Sequence, residues 1–346
     1  MGDALDVFGL PDELSALDTL LHRGEANPRT RSGVMALEIL DCAPEWGRFR
    51  SVFDNASRRV LRLRQKVVTP TLPIATPRWV VDPDFNLDFH VRRLRVPAPG
   101  TLREVLDLAE VMLQSPLDIS RPLWTATLVE GLQNGHAAVL FHASHAVSDG
   151  VGAVEMFAHI YDLERDPPPK DPAPLPIPQD MTGNDLARAG LNRLPGALLG
   201  GLNDVVNVAA QAVRNPASAV GSVLEYARSG MRAMSTVAEP SPALRRRSLA
   251  SRTEAIYMDL SALRAASKSA EGSINDAYLA GLTGALRRYH IELGVPIEKL
   301  RMAVPVNLRA EADPAGGNRF AGSSFASAWR STATASASAR RDIAAC

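Results

Sequence analysis

Hydrophobic residues in the first 166 positions recur with the periods of alternating helices and strands. An apolar residue every three or four positions predicts helices over 11–22, 44–60 and 101–114. Continuous apolar runs predict strands over 34–40, 123–132 and 136–144, and the last two are separated by a Gln-Asn-Gly turn typical of a hairpin. This alternation predicts an α/β fold.

A further helix is predicted from about Gly150, where a run of small and apolar residues follows the last of these strands. The helical period places four apolar residues on its buried face: Val151, Val154, Phe157 and Tyr161. The chain up to 166 is therefore predicted to form one complete α/β half-domain.

The remainder of the chain divides by composition into three parts. Prolines are too dense over 167–178 for helix or strand, and the weakly amphipathic sequence up to 250 predicts helices that bridge two domains. Residues 251–321 contain predicted strands at 253–260 and 301–308 with helices between them. From 322 to 346 no apolar period is present, which predicts a low-complexity, disordered tail.

The composition excludes several classes of protein. Of 346 residues 46% are hydrophobic, which is enough for a large core and more than one domain. Lysine and arginine number 38, as do aspartate and glutamate, whereas nucleic-acid-binding proteins are usually basic. Two cysteines and an acidic N-terminus favour a reducing, cytoplasmic location without a secretory signal. No run of eighteen apolar residues predicts a membrane span.

The sequence SHAVSDG, Ser144 to Gly150, lies where a buried strand is predicted to end and a helix to begin. An imidazole at such a junction, here His145, could take a proton from a hydroxyl group near neutral pH. Asp149 could fix the neighbouring backbone, and Gly150 removes a Cβ where the chain turns. The same residues could equally form an ordinary helix N-terminus capped by a polar side chain, so the spacing alone leaves both interpretations open.

Two other polar groups have structural interpretations. In PLDISRPLW (116–124), Arg121 is expected to pair with Asp118 or Asp149, so that the segment ending in Pro122 and Trp124 docks against the hairpin; this is favoured over contact with a substrate. Ser273 and Asp276 have the spacing of a capping box, which also makes Asn275 and Asp276 structural by spacing. His142 is interpreted as a packed residue, and the histidines show no spacing typical of a metal site.

Taken together, these motifs resemble the bacterial wax ester synthase/diacylglycerol acyltransferase family. That family carries HHxxxDG, whose second histidine falls on His145, and a PLDxxRPLW motif that is complete here. Asn275 and Asp276 match its ND motif. These two residues lie in GSINDAYLAGLTGALRRY. Four further segments match in chain order between about residues 13 and 321: SALDTLL (15–21), the extended stretch 77–93, VPVNLR (304–309) and GNRF (317–320).

The resemblance implies the two-half-domain fold of coenzyme-A-dependent, chloramphenicol acetyltransferase-like enzymes. It implies that His145 is the general base, supported by Asp149, for moving a long-chain acyl group from acyl-coenzyme A to diacylglycerol or a fatty alcohol. Acyl-coenzyme A is then a co-substrate, with no resident cofactor and no metal. A peripheral contact with a membrane or lipid droplet surface is also implied, because the acceptors are lipids.

The chain departs from the family pattern at two places. Ser144 stands where the leading histidine of HHxxxDG is expected, and the likeness stops at Ala321, which predicts an incomplete second half from a truncated or frameshifted gene. Two alternatives stay open: an inactive or lipid-binding remnant, and another HHxxxDG enzyme such as a condensation domain or polyketide-lipid acyltransferase. The absence of a Gly-x-Ser-x-Gly sequence argues against a serine hydrolase.

Overall fold

The computed structural model describes residues 11–148, 150–162, 164–165, 167–168, 171–193, 241–245, 248–296, 299–307 and 320–328. Within these residues the chain divides into two compact units. The first contains the described residues up to 193 together with 249–254. The second contains the remaining described residues.

The first unit alternates helices and strands. Its helices are α1 (Ala16–Gly24), α2 (Trp46–Arg59), α3 (Leu87–His90), α4 (Leu102–Gln114), α5 (Gly150–Ile160) and α6 (183–193). Its strands are β1 (Gly33–Leu40), β2 (Gln65–Val68), β3 (Arg78–Val81), β4 (Val91–Arg95), β5 (Trp124–Glu130) and β6 (Ala137–Ser144). The helices predicted over 44–60 and 101–114 and all three predicted strands are confirmed.

Polar side chains define where the helices begin. Helix α1 starts later than predicted because Ser15 is its N-cap, with the Ser15 hydroxyl accepting a hydrogen bond from the Asp18 amide. Helix α2 starts after Glu45, whose carboxylate accepts from the amides of Gly47 and Arg48 at 2.8 and 2.7 Å. These carboxylate and hydroxyl oxygens satisfy amides that have no partner within the helix.

A four-stranded sheet with the order β1-β6-β5-β4 forms the centre of the first unit. Strands β1 and β5 are both antiparallel to β6, and β4 runs parallel to β5. The predicted hairpin between β5 and β6 is confirmed, and its turn contains Asn134 and Gly135 at φ values of 61° and 73°. Every residue of β6 is buried, which explains its continuous apolar sequence.

Helices cover both faces of this sheet. On one face α2 and α5 pack against β5 and β6 through a core that includes Phe53, Trp124 and Phe141. On the other face α4 packs against β6, with Val105 and Leu140 fully buried. The first unit is therefore a three-layer α/β arrangement in which β6, the strand that precedes His145, is the buried central element.

The buried face of α5 differs from the predicted one. Val154 is 70% exposed, whereas Met156 and Ile160 are buried in the core. The helix begins at Gly150 as predicted, but it is rotated relative to the face inferred from the period of its apolar residues.

Residues 171–193 pack on the first unit, which therefore extends past the boundary predicted at 166. Residues 171–182 have no regular secondary structure, yet the Ala173 amide donates to Asn55 Oδ1 at 2.8 Å and the Gln179 amide donates to the Val81 carbonyl at 3.1 Å. Helix α6 follows and lies against the loop at 69–75, where the Thr71 amide donates to the Gly183 carbonyl.

The second unit contains helices α7 (Leu260–Ser269) and α8 (Ile274–Glu292) and an antiparallel strand pair, β7 (Lys299–Asn307) and β8 (Phe320–Ala328). The strand predicted at 301–308 is confirmed in β7.

Two predictions for this part of the chain are wrong. The strand predicted at 253–260 is replaced by irregular chain in which Ile256 is 89% exposed, because its apolar residues meet no partner strand among the described residues. Residues 322–328, predicted as the start of a disordered tail, form β8, since backbone pairing with β7 requires no alternation of side chains. Residues 329–346 lie outside the described residues.

No described helix combines the length and the apolar character needed to cross a membrane.

Candidate active site

His145 is the first residue after β6, and the turn that follows it leads into α5. Its backbone amide donates a hydrogen bond to the Ser32 carbonyl at 3.1 Å, and the Val147 amide closes the turn by donating to the Ser144 carbonyl at 3.0 Å. The side chain of His145 is half-buried. The predicted strand-to-helix junction is confirmed, so the imidazole is fixed at its base by the sheet but still reaches the surface. Gly150 opens α5, and Asp149 lies outside the described residues.

A small apolar cluster supports this turn from below. Ala146 and Val147 are buried against Leu123, and the Ser144 amide donates to the Leu123 carbonyl at 3.0 Å. Leu123 belongs to PLDISRPLW, so that segment directly underlies the histidine turn. Leu123 of this motif therefore supports the turn that follows His145 by packing against it.

The polar residues of PLDISRPLW bind one another. Arg121 Nε lies 3.2 Å from Asp118 Oδ2, which agrees with one of the two predicted pairings. Hydrogen bonds from the Ser120 hydroxyl and amide, together with the Arg121 charge, lower the pKa of Asp118 below its ordinary value. The Arg121 guanidinium also lies 4.5 Å from the centre of the Phe89 ring, a cation–π contact.

Two residues at the end of this motif are buried. Pro122 accepts a hydrogen bond through its carbonyl from the Trp124 amide at 2.9 Å. Trp124 is fully buried at the start of β5, and its indole Nε1 donates to the Leu63 carbonyl at 2.7 Å. These contacts support the structural interpretation of the motif.

Ser144, the departure from the family pattern, has a defined partner. Its hydroxyl donates to Glu25 Oε1 at 2.7 Å, and both side chains are almost completely buried, at 1% and 3% exposure. Sequence analysis did not find Glu25, because it lies 119 positions before Ser144, in a polar stretch of ordinary composition.

His142 lies three residues before His145, inside β6, and is 3% exposed. Burial, reinforced by the charges of Arg31 and Arg92, lowers the pKa of His142 to about 4. Its Nε2 has no hydrogen-bond partner among the described residues. His142 is therefore a neutral packed residue at neutral pH, as its interpretation from the sequence proposed.

Asn275 and Asp276 lie in the second unit, at the start of α8. The predicted capping box is confirmed: the Asp276 amide donates to the Ser273 hydroxyl at 3.2 Å, and Asp276 Oδ2 accepts from the Ser273 amide at 2.8 Å. Asn275 is exposed. Among the described residues, no three histidine, cysteine, aspartate or glutamate side chains lie close enough to hold a metal ion.

Comparison with known proteins identifies the family. The model of the wax ester synthase/diacylglycerol acyltransferase catalytic domain matches residues 8–278. The chain belongs to this family. A Mycobacterium tuberculosis H37Rv protein that carries a diacylglycerol O-acyltransferase name is 68% identical over 321 residues, which are 92% of this chain and 65% of that protein.

A second family member is less similar to this chain. Another M. tuberculosis H37Rv protein with a diacylglycerol O-acyltransferase name is 34% identical over 297 residues, covering 82% of this chain and 59% of that protein. The chain thus spans less than two thirds of the length of these family members.

Solved structures confirm the predicted fold class. The wax ester synthase/diacylglycerol acyltransferase from Marinobacter aquaeolei VT8 has a TM-score of 0.57 at 18% identity, covering 96% of this chain and 72% of that one. The first condensation domain of the calcium-dependent antibiotic synthetase has a TM-score of 0.62 at 14% identity, covering 97% and 74%. The fold is the α/β, two-lobed fold of coenzyme-A-dependent acyltransferases.

Proposed function

We propose that this chain is an acyl-coenzyme A-dependent O-acyltransferase that esterifies a lipid hydroxyl, with His145 as its general base. The observation that carries the proposal is the half-buried imidazole at the β6–α5 junction, whose backbone is fixed by the Ser32 carbonyl. Membership of a family defined by a catalytic domain of this activity supports it.

The reaction needs one proton acceptor that later acts as a donor. The hydroxyl oxygen of the acceptor attacks the thioester carbonyl carbon while the His145 imidazole takes the hydroxyl proton. The bond between carbon and sulfur then breaks, and the imidazolium gives its proton to the departing coenzyme A thiolate. The products are an ester and free coenzyme A, with no acyl-enzyme and no resident cofactor or metal.

General-base help of this kind contributes about 10²–10⁴ in rate. Alignment of the thioester and the hydroxyl contributes further, since correct positioning of two reactants removes a large part of the entropic barrier. The apolar cluster under the turn and the hydrogen bond from the His145 amide to Ser32 fix the backbone that carries the imidazole. In this proposal Asp149 supports the same turn.

The proposed partners are acyl-coenzyme A as donor and diacylglycerol or a long-chain alcohol as acceptor. Such acceptors partition into bilayers and lipid droplets. We therefore place the reaction at those surfaces, where the protein binds peripherally.

The test is an acyl-transfer assay on the purified full chain. Palmitoyl-coenzyme A is mixed with diacylglycerol, hexadecanol or buffer alone, and release of coenzyme A thiol is followed together with ester formation. His145→Ala should lower ester formation by about 100-fold or more. His136→Ala is the matched control, since His136 precedes β6 at its other end, roughly 30 Å away along the strand. Equal activity of His145→Ala and the parent would exclude the mechanism.

A second candidate function is acyl transfer to an amine, as in condensation domains. Its basis is the fold that the chain shares with a condensation domain, at a TM-score of 0.62. Hexadecylamine included beside hexadecanol in the same assay separates the two, because an amide product would identify the condensation-type reaction. Thermal stabilisation by palmitoyl-coenzyme A without any product would instead identify a lipid-binding remnant.

A further inference from the structure

The hydroxyl of Ser144, next to His145, both donates and accepts a hydrogen bond. It donates to Glu25 Oε1 at 2.7 Å and accepts a hydrogen bond from the Ala146 amide at 3.3 Å. These two bonds fix the residue before His145 and the residue after it. Removal of the hydroxyl would leave the buried Ala146 amide without this partner.

Glu25 is held in place independently of Ser144. It caps the C-terminal end of α1, and its amide donates to the His22 carbonyl at 3.2 Å. Its own carbonyl accepts a hydrogen bond from Arg31 Nε at 3.2 Å, and Arg31 is anchored in turn through Nη1 to the Gln114 carbonyl at 2.7 Å. The backbone of Glu25 is therefore fixed by hydrogen bonds that do not involve Ser144.

A carboxyl group this deeply buried is expensive to desolvate. Only one of its oxygens accepts hydrogen bonds among the described residues: Oε1 from Ser144 at 2.7 Å and from the Ser32 hydroxyl at 3.5 Å. Oε2 accepts none among these residues and lies 4.0 Å from Arg31 Nε. Such an arrangement is poor for stability, which points to a role in the neighbouring turn.

Glu25 also contacts Ser32, the residue that directly precedes β1 and lies opposite His145. Ser32, whose hydroxyl binds Glu25, is the residue whose carbonyl accepts the His145 amide. The Glu25 carboxyl group thus contacts Ser144, next to His145 in sequence, and Ser32, next to His145 across the sheet. The Glu25 carboxyl group therefore contacts both the residue bonded covalently to His145 and the residue that accepts the His145 amide.

We propose that Glu25 and Ser144 form a positioning pair that fixes the orientation of the His145 turn for acyl transfer. The pair makes no contact with substrate in this proposal and acts through His145. The serine at 144 is thus a functional substitute for the leading histidine of the family motif, because its hydroxyl has a buried carboxyl partner within reach. This inference rests on the proposed function.

The experiment compares kcat and KM for Glu25→Ala, Glu25→Gln, Ser144→Ala and the Glu25→Ala/Ser144→Ala double variant. Each alanine variant should lower kcat by about 10- to 100-fold, since small misplacements of a catalytic group have effects of this size. KM for palmitoyl-coenzyme A should stay within about twofold. The double variant should be no worse than the poorer single one, because the two residues act as one unit. Glu25→Gln keeps an acceptor for Ser144 and should restore most of kcat.

Asp82→Ala is the matched control for simple loss of stability. Asp82 is another carboxylate of the first unit with 3% exposure, and it pairs with Lys66 at 2.8 Å. Its replacement should lower the melting temperature while leaving kcat within about twofold. A parent-like kcat in Glu25→Ala, or additive losses in the double variant, would overturn the positioning pair.

A measurement independent of turnover separates this inference from the proposed function. Modification of His145 by diethylpyrocarbonate, followed by mass spectrometry of the peptide, reports the freedom of the imidazole. The rate should rise about threefold or more in Glu25→Ala and stay at the parent rate in Asp82→Ala. A parent that transfers no acyl group would refute the proposed function alone, whereas equal modification rates in parent and Glu25→Ala would refute the pair.

Discussion

The imidazole of His90 lies stacked on the indole of Trp124, with ring centroids 4.7 Å apart and an angle of 20° between the planes. Its Nδ1 donates to the Trp124 carbonyl at 2.7 Å, and Nε2 has no hydrogen-bond partner among the described residues. Burial outweighs that hydrogen bond and, with the charges of Arg121 and Arg92, lowers the pKa of His90 to about 4. The stack of His90 on Trp124 therefore favours the neutral form of the imidazole.

We predict that the first unit loses stability in acid between about pH 6.5 and 4. His90 and His142 have pKa values of about 4 in the folded chain and about 6.5 when unfolded. In this window the unfolded chain binds more protons, so the free energy of unfolding falls as the pH falls, by about 2 kcal/mol per histidine at pH 5. Urea unfolding at pH 8 and pH 5 measures the difference.

The variant His142→Leu isolates one half of this effect. It should be about 2 kcal/mol less sensitive than the parent to the change from pH 8 to pH 5. Thr125→Val is a suitable control, because Thr125 pairs with His142 across the β5–β6 ladder and carries no titratable group. An unchanged pH response in His142→Leu would contradict the lowered pKa.

Replacement of Trp124 by phenylalanine should destabilise the first unit by about 2–4 kcal/mol. The change removes the indole donor from the buried Leu63 carbonyl and leaves unfilled volume in a fully buried position. Trp46→Phe alters a partly buried tryptophan at the edge of the same core and should cost about 1 kcal/mol or less. Chemical denaturation of both variants tests the prediction, and equal losses would argue against the hydrogen bond to Leu63 as the main cause.

Glycines in two helices should respond in opposite directions to alanine. At Gly190 in α6 an added Cβ would lie 2.7 Å from the Ile74 carbonyl oxygen, so the helix must move away from the 69–75 loop. At Gly284 in α8 no described atom lies within 4 Å of that position, and alanine should stabilise the helix by up to about 1 kcal/mol. Hydrogen exchange should therefore speed up over 183–193 in Gly190→Ala and slow down over 274–292 in Gly284→Ala. The opposite pattern would show that α6 is not fixed by this contact.

The ND motif offers a separate test of structure against catalysis. Asp276→Ala breaks the capping box of α8 and should cost about 1 kcal/mol of stability. Asn275→Ala changes an exposed side chain and should cost less than about 0.5 kcal/mol. Thermal melts and acyl-transfer rates measured on the same samples separate a structural role from a catalytic one. A large loss of rate in Asn275→Ala at unchanged stability would assign Asn275 a catalytic role.

Local features of the fold could be predicted from the sequence because each depends on residues close together in the chain. The period of Phe49, Phe53 and Ala56 predicts α2, and the Asn134-Gly135 turn predicts the β5–β6 hairpin. The Ser273 capping box is a contact between residues three positions apart. The junction that holds His145 follows from the same local signals.

Features that depend on distant residues could not be predicted in this way. Glu25 has no local signal, since its position beneath Ser144 arises only when β1 pairs with β6. The exposed face of α5 and the irregular chain around Ile256 depend on which helices and strands pack nearby. The spacing of apolar residues in the sequence does not determine them. Strand β8 likewise forms through pairing of its backbone with β7, in a sequence of small residues with little strand preference.

The long separation in sequence between Glu25 and Ser144 has a consequence for the order in which the first unit folds. During synthesis α1 and β1 leave the ribosome well before the strand they must join, whereas β5 and β6 can pair as soon as their short turn is made. In a hairpin formed by β5 and β6 alone, Ser144 has no contact with the Glu25 carboxyl group. Glu25 reaches the Ser144 hydroxyl only after β1 has paired with β6, so this contact is expected to form late in the folding of the first unit.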